Sequence, residues 1–216
     1  MNKMCRTNAQ GGRSMIEMLG VLAIIGVLSV GGIAGYSKAM TKYRINKTID
    51  QITQISQNIR ILYGRQRQKN YRNLNERILY KANLAPKEMF GSGYSMTNAW
   101  GEFFIATKYR DDMVTYFNIG TVIPSEEACI ELATHDWGSR DTTGLNSVVI
   151  FDGGETPLEN HDLVGNCSGK IGNGFTGALA VACSGGTNIS IPMPVDVAVD
   201  VCSSNAPYNF LVLTYE

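Results

Sequence analysis

The chain has 216 residues, of which 44% are hydrophobic, and its 19 basic and 19 acidic side chains give a formal net charge of zero. This length suits one moderate domain with an appended helix. The charges are uneven, with twelve bases against three acids in residues 36–90 and four bases against fifteen acids from residue 100 onward, and the acidic second part argues against a dedicated nucleic-acid-binding protein.

An apolar segment begins close to the N-terminus. Residues 14–36 are predominantly apolar, and Glu17 carries their only charge. About 20 apolar residues are enough to cross a bilayer, so we predict one membrane-spanning helix here. A carboxylate inside a membrane helix is costly, which predicts a role and a partner for Glu17.

The residues around this segment predict its orientation and its packing. Bases in residues 1–13 place that end in the cytoplasm, although Lys38 and Lys42 keep the charge bias mild. A secretory signal is cut after its apolar core, whereas here the plausible cut precedes the core, which would stay attached. Gly31 and Gly35 have a spacing that lets helices approach closely, with ordinary flexibility of an anchor as the alternative.

The helix is predicted to continue well beyond the membrane. No helix breaker follows until Gly64, and apolar residues recur every three or four positions, at Ile45, Ile49, Ile52, Ile55, Ile59 and Leu62. We therefore predict one helix over residues 14–63, roughly 75 Å long at 1.5 Å per residue. Its outer half is expected to bury the isoleucine face against a sheet. A separate coiled coil or surface helix is the alternative.

Residues 64–216 are predicted to form one α+β head with a mostly antiparallel sheet. Expected helices are residues 73–82 and a helix capped by Ser125, with Cys129, Leu132 and Ala133 facing inward. Expected strands are residues 103–107 and 113–119, joined by a turn at 110–112, and residues 147–151 and 209–215. Residues 152–154 are expected to form a turn, and 165–190 a loop in which 178–182 are ambiguous between strand and helix.

The sequence contains no convincing motif of a catalytic or cofactor site. Residues 172–177 match a dinucleotide-binding spacing but lack a surrounding βαβ unit, which favours a loop. His135 and His161 are the only histidines, and neither belongs to a recognisable catalytic motif. The acids of residues 152–162 lack the spacing of a calcium loop. We expect no enzymatic activity, no cofactor and no metal.

The N-terminal residues resemble those of a type IV prepilin or type IV pilin-like protein. The resemblance rests on Gly-Gly-Arg-Ser-Met-Ile-Glu-Met-Leu-Gly at residues 11–20 and is specific over residues 11–63. It implies a leader of residues 1–12, cleavage after Gly12 by a prepilin peptidase, methylation of the new amine of Arg13, and pairing of Glu17 with that amine in a neighbouring subunit. Arg13 departs from the apolar residue that the family usually has there.

Two further stretches extend the resemblance into the head. Asn-Ala-Trp-Gly at residues 98–101 is similar to a motif that follows the long helix in many pilins, and residues 125–132 resemble a cysteine-bearing helix of type IVb pilins. The resemblance therefore implies the pilin fold. It also implies a structural subunit that polymerises through its apolar helix for adhesion, motility or DNA transfer.

The resemblance also implies partners and a location. Before assembly the chain would span the bacterial inner membrane once, in contact with lipid, with its N-terminus in the cytoplasm, and afterwards it would form an extracellular pilus. Its partners would be itself, the prepilin peptidase and the inner-membrane assembly machinery, with nucleic acid left open. Basic and acidic regions of neighbouring copies could set the register of a filament, or both could simply be solvated.

Three alternative functions remain at this stage. One is a pseudopilin of a type II secretion system, whose head is usually smaller and poorer in disulfides. Another is a signal-anchored periplasmic binding or adhesive protein that does not polymerise. The third is an anchored enzyme.

The cysteines predict two disulfides. Cys5 would leave with the leader, and Cys129, Cys167, Cys183 and Cys202 remain. None forms a Cys-x-x-Cys pair, which argues against zinc, and an even number in an exported domain indicates two bridges with three possible pairings. The resemblance favours Cys129–Cys202, which leaves Cys167–Cys183 to close a glycine-rich loop.

Overall fold

The computed structural model describes residues 15–66, 70–107, 115–152, 178–183, 189–202 and 208–216. Within residues 178–183 it describes the backbone and the side chain of Ala182. The chain divides into two compact units, Met1–Lys42 and Tyr43–Glu216. The first helix, α1, runs from Met15 to Gly64 and contributes to both units, which confirms the predicted continuous helix to within one residue at each end.

The second half of α1 buries its isoleucine face in the core of the second unit. Ile45, Ile52, Ile55 and Ile59 are fully buried, as their helical spacing predicts. The expected inward position of Leu62 is wrong, because Leu62 is 38% exposed whereas Tyr63 is 6% exposed. The Tyr63 ring packs against Tyr71, with 5.1 Å between the ring centroids. Tyr63 is four residues after Ile59, so it continues the buried face in place of Leu62.

A short connecting region follows α1. Helix α2 is Glu76–Lys81, shorter than the predicted 73–82. Its N-cap is Asn75, whose Oδ1 accepts a hydrogen bond from the amide of Ile78 at 3.1 Å, as is favoured at helix starts. Two 3₁₀ turns, Lys87–Met89 and Ser92–Tyr94, lead into the sheet.

Six strands form one sheet in which every neighbouring pair is antiparallel. They are β1 (Met96–Thr97), β2 (Glu102–Thr107), β3 (Phe117–Ile123), β4 (Leu145–Asp152), β5 (Ala178–Cys183) and β6 (Asn209–Tyr215). Their spatial order is β1-β2-β3-β6-β4-β5, so the last strand of the chain lies at the centre. The predicted α+β class with an antiparallel sheet is confirmed, and the ambiguous residues 178–182 are a strand.

The second predicted strand is displaced along the chain. Residues 113–119 were expected, but β3 is Phe117–Ile123, with Phe117 opposite Thr107 and Gly120 opposite Phe104. The predicted turn at 110–112 lies outside the described residues. The predicted strand ended too early because Gly120 interrupts the apolar run. In the structure Gly120 lies inside β3, and the ring of Phe104 occupies the space that a side chain would need.

Three further short helices lie in the described part of the second unit. They are α3 (Glu126–Ala133), α4 (Arg140–Thr143) and α5 (Val195–Cys202). Ser125 caps α3, because its Oγ accepts a hydrogen bond from the amide of Ala128 at 3.3 Å. Cys129, Leu132 and Ala133 are buried as predicted. Neither α4 nor α5 was predicted from the sequence.

The two faces of the sheet bury separate sets of apolar side chains. Leu211, Leu213 and Tyr215 of β6 join the main core with α1, α3 and α5. The alternate residues Phe210 and Val212 belong to a smaller cluster with Phe104, Val149 and Phe151. This period-two division is the side-chain alternation of a β-strand, and it places α1, α3 and α5 on one face of the sheet.

Candidate functional site

In the first unit, residues 15–36 form a helix whose surface is largely apolar. Every large apolar side chain of α1 from Met15 to Tyr36 is exposed, and none of these is less than 50% exposed. Within the described residues, α1 is the one helix long and apolar enough to cross a membrane. Exposed apolar surface on this scale marks contact with a membrane or with other proteins.

Glu17 lies in the first turn of α1 and is exposed among these apolar side chains. A carboxylate in the first turn is favoured by the positive end of the helix dipole. When lipid or other helices cover the neighbouring side chains, that carboxylate needs a cationic partner. Gly12 and Arg13 lie outside the described residues, so only their spacing along the sequence relates them to Glu17.

The glycines of the same segment leave open space along the helix. A Cβ placed at any of them would meet nothing within 4 Å: Gly20, Gly26, Gly31, Gly32 and Gly35. A glycine inside a helix costs about 0.5–1 kcal/mol relative to alanine. The packing of the described residues offers no reason for these glycines, whereas close approach of a second helix does.

In the second unit, a disulfide joins α3 to α5. Cys129 and Cys202 are bonded with their Cα atoms 5.7 Å apart, and both are buried. This confirms the first predicted pair. Cys167 lies outside the described residues, and Cys183 ends β5 with its side chain also outside them, so Cys167–Cys183 stays a prediction.

The Asn-Ala-Trp-Gly motif forms the turn between β1 and β2. Asn98 Oδ1 accepts hydrogen bonds from the amides of Trp100 at 2.9 Å and Gly101 at 3.1 Å. Gly101 has φ +137°, which favours glycine. The guanidinium of Arg44 on α1 lies 5.6 Å from the centre of the Trp100 ring, so the motif also binds α1 to the edge of the sheet.

A second attachment of α1 lies near the end of β6, and its residues were not predicted from the sequence. Gly144 has φ +72°, and a Cβ there would lie 2.7 Å from Nε of Arg60. The amide of Glu216 donates to the carbonyl of Gly144 at 2.8 Å. Arg140 Nε donates to Oε2 of Glu216 at 2.7 Å. These contacts bring α1, α4 and the end of β6 together.

A cleft of about 460 Å³ opens between α1 and α3. It is lined by Ile45, Asn46, Ile49, Asp50, Glu131 and His135. Burial lowers the pKa of His135 below its ordinary value, and the carboxylate of Asp136 opposes that shift. The cleft was not predicted from the sequence, in which its one signal is that Asp50 is one of three acids in residues 36–90.

The remaining candidates for chemistry lie mostly outside the described residues. These are His161, the glycine-rich residues 172–177 and the acidic loop from residue 153 onward. Among the residues that the structure describes, no three His, Cys, Asp or Glu side chains are placed to hold one metal ion. The described geometry therefore consists of an apolar helix, a disulfide-braced head and an acidic cleft.

Comparison with known proteins identifies one family. The family model described as Bundlin matches residues 37–174. This range covers more than half of the chain, from the end of the apolar segment through α3 and β4. No curated protein matches the chain.

Proposed function

Because the chain belongs to the bundlin family of type IVb pilins, we propose that it is the structural subunit of a type IV pilus. The family is structural rather than enzymatic, and its members self-assemble into filaments. Together with the apolar helix, membership indicates membrane anchoring and a pilus. The finer proposal is that this chain polymerises through residues 15–36 for adhesion, motility or DNA transfer.

The observation that supports polymerisation most strongly is the exposed apolar surface of α1. Its large apolar side chains from Met15 to Tyr36 are all exposed, and a helix that is apolar on all sides must be covered by lipid or protein. In our proposal lipid covers it before assembly, and the same segments of other subunits cover it in the filament. The open glycine positions allow those helices to pack closely.

The proposed processing follows the resemblance at the N-terminus. Prepilin peptidase would remove residues 1–12, leaving a helix of residues 13–63 and a head of residues 64–216. The new amine at Arg13 would then lie near the bilayer interface as a cation, methylated or not. Glu17 of a neighbouring subunit is its proposed partner, and this pair would set the depth at which each new helix joins the filament. The inner-membrane assembly machinery would extract the subunit from the bilayer.

Family membership favours this function over the alternatives. The match extends through the head to residue 174 and supports a pilus subunit rather than a type II secretion pseudopilin. The disulfide between α3 and α5 points the same way, because pseudopilin heads are usually poorer in disulfides. A non-polymerising anchored protein would leave the exposed glycines of α1 without a role.

Replacement of Glu17 tests the proposal. We expect Glu17→Val to leave cleavage after Gly12 intact but to reduce filament yield by at least about tenfold, because a loss of roughly 1.4 kcal/mol per added subunit weakens every addition about tenfold. Sheared filaments quantified by immunoblot and electron microscopy give the yield, and mass spectrometry of the cellular chain gives the cleavage site.

Two further variants identify the cause of any loss. Glu17→Gln keeps the size of the side chain and removes its charge, and it is expected to resemble Glu17→Val. Glu102→Gln removes an exposed carboxylate from β2 and is expected to assemble normally. Normal filaments from Glu17→Val would contradict the proposed pairing.

A further inference from the structure

The cleft between α1 and α3 is acidic, in contrast to the basic segment that supplies its α1 wall. Asp50 and Glu131 line it, yet residues 36–90, which supply the α1 wall, hold twelve bases and three acids. Among the described residues that line it, none is a lysine or an arginine. The cleft is therefore acidic, although its α1 wall comes from a basic segment of the chain.

The lining of the cleft suits a long basic side chain. Ile45 and Ile49 provide an apolar wall on which a methylene stem can lie. Asp50 is exposed, whereas Glu131 is half-buried with its Oε2 buried, so a cationic head that enters from the open side meets the Asp50 carboxylate first. Asn46 adds a side-chain carbonyl that accepts hydrogen bonds.

The same geometry argues against a metal ion as the occupant. Asp50, Glu131 and His135 carry groups that ligate metals, but within the described residues no three such side chains are placed to share one ion. Two carboxylates with no third ligand placed beside them in the described residues are better matched to a basic side chain, such as a guanidinium with its several donors.

The chain offers a matching surface on α2. Arg77 and Lys81 are both exposed and lie one helical turn apart. Residues at this spacing project from the same face, with their Cβ atoms about 5–6 Å apart. The opposite face of α2 is anchored in the core by Leu79, which is fully buried. The two charges are therefore held on a fixed part of the second unit.

We infer that the acidic cleft of one copy binds Arg77 and Lys81 of a second copy. This inference rests on the proposed filament function and names a contact between heads. The two surfaces are different patches of the same chain, so the contact is heterologous, and heterologous contacts that do not close into a ring produce open helical filaments. Charge complementarity would fix the register and speed assembly.

Charge reversal tests the inference in cells that make the full chain. Arg77→Glu with Lys81→Glu is expected to reduce sheared filament yield at least fivefold, since like charges then face each other across the contact. Asp50→Lys with Glu131→Lys is expected to do the same. Combining all four changes in one chain is expected to restore filaments, because every contact is then reversed on both sides.

Controls separate this contact from folding and from the proposed function. Arg65→Glu and Lys87→Glu reverse exposed bases outside α2 and are expected to leave the yield unchanged. Thermal unfolding of each variant reports whether the head is intact. Asp50→Asn alone is a further variant that removes one charge of the cleft and leaves the half-buried Glu131 unaltered. If the unaltered chain makes no filaments, the proposed function fails; if it makes filaments and all reversed variants do too, only this inference fails.

Cross-linking gives an independent readout. A carbodiimide joins a carboxylate to a lysine amine only when the two are in contact. In filaments assembled from mixed ¹⁴N and ¹⁵N subunits, we expect a peptide containing Asp50 or Glu131 linked to Lys81 of a differently labelled copy. Links from these carboxylates only to lysines elsewhere would overturn the assignment of α2 as the partner.

Discussion

Gly120 occupies a position on β3 where the sheet has no room for a side chain. A Cβ there would lie 2.0 Å from Cζ of Phe104, the residue directly opposite on β2. Because the ring covers the glycine, Gly120→Ala must displace Phe104 from the smaller apolar cluster. We expect a loss of about 1–3 kcal/mol in the free energy of unfolding, measured by chemical denaturation of the purified chain in detergent.

Two variants show whether the ring is the cause. Phe104→Leu is expected to be destabilising alone, but adding Gly120→Ala to it should cost much less than in the original background, a coupling that a double-mutant cycle measures. Gly26→Ala meets open space and is expected to leave the unfolding of the head unchanged. Equal costs in both backgrounds would contradict the packing account.

His135 gives the head a dependence on pH. Burial lowers its pKa, so the native state binds a proton less readily than the unfolded chain does. As pH falls through the ordinary histidine value of about 6.5, the unfolded chain takes up the proton first and the native state loses stability. Between about pH 7.5 and about pH 5, the original chain should lose more stability than His135→Gln, whereas parallel pH profiles of the two would contradict this cause.

At the residue scale, the sequence predicted positions that local pattern decides. Helical spacing placed Ile45 and Ile59 in the core, and a serine followed by two glutamates marked the start of α3. It could not predict that Asp50 and Glu131 line one cleft, because they are far apart in the chain. Their proximity depends on how α3 packs against α1, which no local pattern encodes.

At the scale of elements, α5 shows where a pattern misleads. Its sequence, Val-Asp-Val-Ala-Val-Asp-Val-Cys, alternates as a half-buried strand would, yet residues Val195–Cys202 are a helix. Ala198 and Cys202, four residues apart, face the core and are buried, and the latter is bonded to α3. Tertiary packing on this helical face outweighs the strand preference of valine. The long, strongly periodic α1 had no such competitor and was predicted almost to the residue.

The disulfide is the strongest link between α3 and α5. It joins residues 73 positions apart, so its removal frees a large loop in the unfolded chain. We expect Cys129→Ala with Cys202→Ala to cost about 2–5 kcal/mol, seen as faster proteolysis of the head and fewer filaments. Cys5→Ala is the matched control, because the proposed mature chain lacks that residue. Unchanged protease resistance would mean that the bond contributes little.

At the scale of the whole molecule, composition and periodicity predicted the class of fold but not its topology. The final strand was predicted at residues 209–215 from its apolar run, and β6 is Asn209–Tyr215. Its place between β3 and β4 was not predicted, since strand order is set by long-range pairing and not by any one segment. The second disulfide and the processing site involve residues outside the described part of the chain, so both remain predictions from the sequence.

The central claim is that the apolar helix is retained after processing and packs against the same helix of other subunits to form the filament. Intact-mass and N-terminal peptide mass spectrometry of chains taken from purified filaments tests it most directly. The account predicts a chain that begins at Arg13, keeps residues 15–36 and lacks Cys5. A filament chain that still began at Met1, or one that had lost residues 15–36, would contradict it.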